Sequence, residues 1–468
     1  MSPKRATMDS DVTRSTDPWA PVSPGAPGAS GAPGGPRVPW RSGTARPPAV
    51  VVLSVLLALA IIAVAAAATL PRSGSTNFDP TGAAGVAPVA AAKSALGLTG
   101  TPSPATSTPA TSPTTAAGGL TTAAGGSTSI QAELPIIEQF VEADRGLTFK
   151  SPVKLVALSD ADFRKFLASA PLTTQQQTAM NNSAKELQAL GLIPSSVDLT
   201  KAEQSLESGS VVGLYDPTTK ALYVRGTAAT PYVRQVMAHE LTHALQDQWF
   251  GLNRLALDSA SDESGFAFSG LIEGDARRVE DDYVHSLSAA EQREAAAEEE
   301  QISGSGVDPS VPQVLVTLAE FPYIVGPQFV GALLQAGGQA RLDQAFRSPP
   351  TTSRQLLNPM VYLAGQGALP VAPPPADGPA FDHTVLGEIG LILLLNETIP
   401  AADARGVADL WGGDSMIAWQ SGSRVCVRDR LATVGDPTLL SGALLLWAKA
   451  HPGASVSGSG PFVLTSCA

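Results

Sequence analysis

The sequence predicts an α+β fold: a small sheet packed against two long helices, then a mainly helical C-terminal part, all behind one N-terminal apolar helix. Three features of the 468 residues predict it. Residues 49–70 run without a charge. Short apolar runs bounded by turn residues lie at 153–158 and within 211–225, as strands require. Helical periodicity fills 230–248 and 265–299, and apolar segments follow at 311–335 and 385–395.

Residues 1–48 carry six basic and three acidic residues amid repeated Pro, Gly and Ala, with neither helical nor strand periodicity, and read as a disordered cytoplasmic tail. The charge-free run at 49–70, with only Ser54 and Thr69 polar, is long enough to cross a bilayer as a helix. Lys4, Arg5, Arg14, Arg37, Arg41 and Arg46 precede it, whereas Arg72 is the only basic residue until Lys93. That asymmetry places the N-terminus in the cytoplasm and the bulk of the chain outside it, as a single-pass cell-membrane protein. The small residues at 65–68 leave a cleaved signal peptide as the alternative, and either way the remainder is exported. Residues 71–129 alternate Pro, Thr, Ser, Ala and Gly and read as a stalk, leaving 130–468 as the folded ectodomain.

Taking the tail's charges from the totals of 30 basic and 42 acidic residues leaves 24 against 39, a net of about −15 outside the membrane. Such a surplus argues against a nucleic-acid or anionic-lipid partner. The only cysteines, Cys426 and Cys467, lie in the exported part and are expected to form a structural disulfide.

The ectodomain opens with Leu134, Ile136, Ile137, Phe140 and Val141 at helical spacing, followed by a strand at 153–158. Residues 159–193 read as helical, with Ser159 or Asp160 as the cap. Residues 211–225 are an apolar run, the turn Asp216-Pro217-Thr218-Thr219-Lys220, and a second apolar run, which is a hairpin. Thr230-Pro231 starts the first long helix, since Thr caps free N–H groups and Pro at the first helical position loses no hydrogen bond. The second spans 265–299 as one element. A Pro-rich loop is expected at 371–379, and a small sheet holding Val425, Val427, Phe462 and Val463 at the end.

Within the first long helix stands His239-Glu240-Leu241-Thr242-His243. Residues four apart share a helix face, so both imidazoles can hold one metal ion. Zinc accepts imidazole at about 2.0–2.1 Å and, in catalytic sites, keeps one position open for water. Glu240, beside the first ligand, is placed to take a proton from that water and pass it to a leaving amine. Two of the chain's five histidines fall at this spacing in a well-capped helix, which argues against chance.

The third ligand must come from elsewhere. An extension with Gly three and His six residues beyond the second His is excluded by Gln246 and Trp249. A carboxylate on a later helix is the usual solution, and Glu273 stands in an otherwise apolar stretch where it needs a partner. Gly270 and Gly274 beside it are expected to let the two long helices approach closely. Asp275 and Glu263 are the competing carboxylates, and pairing of Glu273 with Arg277 on the surface is the bland alternative. Glu280 and Asp275 are expected to matter far less to zinc than Glu273.

The run Val236-Met237-Ala238-His239-Glu240-Leu241-Thr242-His243-Ala244-Leu245-Gln246-Asp247-Gln248 resembles the HELTHALQDQ signature of a bacterial family of gluzincin-type metallopeptidases. Val212-Gly213-Leu214-Tyr215-Asp216-Pro217 is similar to that family's strand and turn, and Leu271-Ile272-Glu273-Gly274-Asp275-Ala276 to the segment carrying its third zinc ligand. Weaker likenesses at Leu386-Gly387-Glu388 and Trp411-Gly412-Gly413-Asp414 extend it over residues 130–420. The chain departs from the pattern at Asn358-Pro359, where the family tends to have His-Pro. The resemblance implies a zincin-like domain, one Zn2+ per chain on His239, His243 and Glu273, catalysis by Glu240, and a protein or peptide substrate.

Tyr283, His285, Tyr323, Tyr362 and His383 are candidates for the oxyanion donor, and Asp247 and Asp275 for partners of the ligating histidines. An edge strand of the 211–225 hairpin is the candidate for adding a substrate as an extra strand. The rival reading is a non-catalytic, zinc-stabilised ectodomain that serves as a cell-surface interaction module.

Overall fold

The computed structural model describes residues 93–98, 128–168, 174–207, 211–258, 262–303 and 308–468. The expected cytoplasmic tail, the apolar segment at 49–70 and most of the expected stalk lie outside these residues. Helix α1 (Ile130–Arg145) begins where Ser129 Oγ accepts the Ala132 N–H at 3.3 Å, and ends at Gly146 with φ 63°, a left-handed cap that glycine adopts freely. Strand β1 (Lys154–Leu158) follows. The helical stretch expected over 159–193 holds two helices among the described residues, α2 (Asp160–Ala168) and α3 (Thr174–Ala189). Ser159 Oγ accepts the Asp162 N–H at 3.1 Å, as the cap reading requires. Helix α4 (Leu199–Glu207), absent from the sequence reading, precedes the hairpin of β2 (Gly213–Asp216) and β3 (Ala221–Arg225). In the turn, Asp216 Oδ1 accepts the Thr218 N–H at 2.8 Å. Strand β1 adds parallel to β3, so the order is β1-β3-β2 and β2 is an edge.

Helix α5 (Pro231–Phe250) has Thr230 as its cap, accepting from Val233 N at 3.2 Å. After the short α6 (Leu255–Asp258) comes α7 (Ser264–Ser286), then α8 (Ala289–Ser303). One continuous helix over 265–299 is therefore a misreading. The break is a capping box: Ser288 Oγ accepts the Glu291 N–H at 3.3 Å while Glu291 Oε2 accepts the Ser288 N–H at 3.0 Å, which starts a new helix.

Helix α9 (Gln313–Arg347) is long and apolar enough to cross a membrane, but 78 % of its apolar window is buried inside the protein, so it is a core helix. It kinks at Gly337 and Gly338, the latter with φ 64°. Helices α10 (Ser353–Leu357) and α11 (Pro359–Leu363) meet at Asn358, which is exposed where the two helices join. The Pro-rich loop then leads to β4 (Ala380–Thr384), α12 (Gly387–Asn396), α13 (Ala401–Ala408), β5 (Trp411–Ser421), β6 (Arg424–Thr433), α14 (Thr438–Ala450), β7 (Ser455–Ser457) and β8 (Phe462–Cys467).

These strands form a second, antiparallel sheet in the order β4-β5-β6-β8-β7, larger than the small terminal sheet expected. Strand β5 escapes sequence reading because nearly all of Trp411–Trp419 is buried on both faces, erasing the alternation that marks a half-buried strand. Cys426 and Cys467 are directly opposite in the β6–β8 ladder and form the expected disulfide. The fold is α+β and mainly helical among the described residues, with fourteen helices and two sheets.

Two large apolar cores carry most of the packing, beside a small cluster of Phe163 and Val211. The smaller joins α1, the first sheet and the apolar side of α5, through Ile137, Val141, Leu222, Val236, Leu241 and Leu245. The larger joins α9, α12, α14 and the second sheet. Helix α7 belongs to both: Phe266, Ala267, Phe268, Leu271 and Ile272 enter the larger core, Val279 and Tyr283 the smaller. Glu273 sits at that change of core.

Candidate metal centre

Helix α5 presents His239 and His243 on one face, and α7 brings Glu273 against them. The ligand atoms of the three side chains lie within 4.8 Å of one another, the only such group among the described residues. Glu273 Oε2 is 3.2 Å from His239 Nε2 and 3.4 Å from His243 Nε2. Atoms bound to one tetrahedral ion at zinc–ligand distances stand about 3.4 Å apart, so the donor set fits such an ion. A second observation agrees: His243 Nε2 and Glu240 Oε1 are buried without a hydrogen-bond partner, a costly arrangement unless an ion or water meets them. All four residues are 4 % exposed or less.

Each imidazole presents Nε2 because Nδ1 is engaged elsewhere. His239 Nδ1 lies 3.0 Å from Glu280 Oε2. Glu280 is itself held by Gln235 at 2.8 Å and Arg277 at 3.1 Å. Burial opposes its ionisation, but Arg277, His239 and Gln235 outweigh it and bring its carboxyl down to about 2. The carboxylate therefore accepts from Nδ1–H, which fixes the tautomer and leaves Nε2 as a lone-pair donor. Sequence reading ranked Glu280 far below Glu273 and did not foresee this contact, although Glu280 stands two helical turns after Glu273 on the same face of α7, a signal the sequence does contain.

His243 is held differently. Its Nδ1 faces Gln246 Oε1 at 3.1 Å, and Gln246 Nε2 donates to Ile272 O at 3.1 Å and Asp275 Oδ2 at 3.0 Å. Those two acceptors settle which way the amide points. Asp275 is fixed in turn by Arg145 Nε at 2.8 Å. Asp275 thus supports a ligand at one remove, as expected of it in kind, whereas Asp247 does not. It accepts from Tyr215 Oη at 2.7 Å, Lys220 Nζ at 2.6 Å and Leu252 N at 3.0 Å, which hold it to the hairpin and the helix end one turn beyond His243.

Glu240 is clasped by the edge strand: the Tyr215 N–H donates to its Oε2 at 2.7 Å. Burial raises its carboxyl above the usual range, although His243, His239 and that N–H pull the other way. Glu273 shows the reverse balance: burial raises it, but the two imidazoles hold it below its ordinary value. The carboxylates around His239 outweigh its burial and raise it to about 10, so an incoming cation displaces a proton there.

Of the five oxyanion candidates, only Tyr323 reaches the site. Its ring stacks on His239 with centroids 6.4 Å apart, and its phenol hydrogen-bonds Glu273. Tyr283 packs edge-on against Phe140, His285 is exposed, Tyr362 donates to Ser348 O at 2.7 Å, and His383 meets Ser415 at 2.9 Å. The rival carboxylate Glu263 lies elsewhere, accepting from Ser353 N at 3.1 Å. The glycine strip also faces another way than expected. A Cβ on Gly274 would stand 2.3 Å from the Gly326 carbonyl carbon, and one on Gly270 2.4 Å from Leu356 Cδ1, so the strip receives α9 and α10, not α5.

The two weaker sequence likenesses meet in space as well. Asp414 accepts from Leu386 N at 2.6 Å, Gly387 N at 3.0 Å and Trp411 Nε1 at 2.7 Å, closing the second sheet onto α12. Compared with protein-family models, curated proteins and solved structures, the chain matches none.

Proposed function

We propose that the chain is a zinc-dependent peptidase with a zincin-like catalytic domain of the gluzincin type, anchored by residues 49–70 and facing away from the cytoplasm. The observation that carries this reading is the convergence of His239, His243 and Glu273 beside Glu240, whose second oxygen is buried and unpartnered. The chemistry a zinc ion supplies in such a site is Lewis acidity, which polarises a carbonyl and makes water acidic near neutral pH.

The chain's own groups divide the remaining work. Tyr215 N–H anchors one Glu240 oxygen, and the other is left to take a proton from the attacking water and return it to the departing amine. Burial, which makes the Glu240 carboxylate more basic, suits it to that exchange. The Tyr323 phenol is the donor closest at hand for the developing oxyanion. Along β2, the Arg225 N–H to Val212 O bond sets the ladder so that Gly213 and Tyr215 turn their backbone groups away from β3. A peptide laid alongside would find Gly213 N–H, Gly213 C=O and Tyr215 C=O, since Glu240 already holds Tyr215 N–H.

The burial of all four side chains favours a second reading, a non-catalytic ectodomain stabilised by zinc. A closed structural site takes four protein ligands, and three converge among the described residues. Zinc content and peptide hydrolysis of Glu240→Gln separate the two. The peptidase keeps one zinc per chain and loses hydrolysis by about 10²-fold or more. Hydrolysis at the wild-type rate in that variant would overturn the mechanism, and absence of hydrolysis by zinc-loaded wild type on a broad peptide library would favour the second reading.

A further inference from the structure

We propose that α14 rests its outer face on the surface of the membrane in which the chain is anchored, an inference that depends on reading residues 49–70 as the anchor. Leu440, Ala443, Leu444 and Trp447 turn inward from α14. The opposite face exposes Leu439 by 70 %, Leu445 by 54 % and Leu446 by 51 %, with Gly442 between them. Half of the six large apolar residues exposed among the described residues are on this one helix, so they are a patch and not scatter. No charge interrupts the helix before Lys449.

The chain's own path says what covers the patch. Residues 93–98 end a helical turn in a Schellman cap, with Leu98 N donating to Lys93 O at 2.9 Å, Gly97 N to Ser94 O at 3.0 Å, and Gly97 at φ 68°. Leu96 is fully buried in the larger core. Gly97 lies so close to α13 that a Cβ would stand 2.7 Å from Ala401 O. Helix α13 packs directly against α14. The chain is therefore fastened to the ectodomain next to α14, only 22 residues beyond the end of the apolar segment. A flexible linker of that length, as the composition of 71–92 leads one to expect, would span roughly 25 Å and keep α14 within a domain's width of the bilayer.

A second copy is a poorer occupant. Stable pairing takes about 800 Å² from each partner, far more than three half-exposed leucines offer. A tethered bilayer contact needs no such area, because the anchor already supplies a high effective concentration. The exposed face consists of leucines with no charge before Lys449, so the contact with a zwitterionic bilayer is apolar in character and insensitive to salt.

The test uses the full chain in phosphatidylcholine vesicles. A polarity-sensitive fluorophore is placed on Leu445→Cys or, as a control, on Thr218→Cys at the exposed hairpin turn; the native cysteines are paired. With nitroxide lipids in the vesicles, the label at 445 is expected to be quenched at least threefold more than that at 218, unchanged in 0.5 M salt as expected of apolar contact. Adding Leu439→Ser and Leu446→Ser is expected to abolish the difference. Equal quenching at both positions, with the chain retained in the vesicles, would overturn the docking alone. Energy transfer between labelled chains that vanishes on dilution into excess lipid would replace the bilayer by a second copy. Recovery of the chain in the aqueous fraction after an alkaline wash would remove the anchor reading and this proposal together, leaving the metal site to its own assay.

Discussion

Glu280 Oε2 stands 3.0 Å from His239 Nδ1, so the carboxylate that orients the first ligand comes from the same helix as Glu273, two turns further on. Glu280→Ala is expected to weaken zinc binding about 10- to 100-fold, as loss of such partners usually does. Glu273→Ala should cost more, and Asp275→Ala less, because Asp275 acts on His243 only through Gln246. Competition with a chromogenic chelator measures all three, and wild-type affinity in Glu280→Ala would show that the contact does not orient the ring.

Gly274→Ala is expected to destabilise the protein by about 3 kcal/mol, at the upper end for overpacking, because the new methyl meets backbone and not a mobile side chain. The displacement of α9 also shifts Tyr323, which the same helix carries. Denaturant unfolding tests the first effect, and an unchanged midpoint would mean that α7 and α9 cross less tightly than described.

Burial pushes the Glu263 carboxyl up to about 8 against the hydrogen bonds from Ser353, so its folded value lies above its unfolded one. The stability it contributes is whole below its unfolded range and is lost as pH rises toward 8. In that window one such group gives a slope of up to about 1.4 kcal/mol per pH unit. Glu263→Gln should flatten the stability profile between pH 5.5 and 7.5 by roughly that slope, with metal content held constant. Parallel profiles for the two proteins would refute the assignment.

Reducing the Cys426–Cys467 bond, or replacing both residues by Ser, is expected to cost up to about 4 kcal/mol, since the residues are 41 apart in sequence and the crosslink restricts a loop of that length when unfolded. The β6–β8 ladder between them should persist at low denaturant. Thermal unfolding with and without reductant provides the check, and coincident curves would make the bond a bystander.

The local elements that sequence could reveal are those with a local cause. Thr230-Pro231 starts α5, the Asp216 turn closes the hairpin, and four-residue spacing puts His239 and His243 on one face; each depends on neighbours within a turn or two. The Ser288–Glu291 capping box was equally local, but it lies between two helical stretches that read as one. Strand β5 was hidden for a different reason. Burial on both faces removed its pattern, and only pairing with β4 and β6 identifies it.

By itself the sequence determined the pair of histidines one helical turn apart, the carboxylate fit to join them, the hairpin beside them and the disulfide pair, because these follow from spacing, capping and the scarcity of His and Cys. Only the tertiary structure decided what holds those groups. It set Glu280 on His239, Gln246 and Asp275 behind His243, Tyr215 N–H on Glu240 and Tyr323 over the first ligand, contacts that join residues 3 to more than 80 positions apart. Such contacts depend on how closely two helices can cross. Here that closeness comes from glycines packed against a third helix, a choice of neighbour that a helix face does not carry in its own sequence.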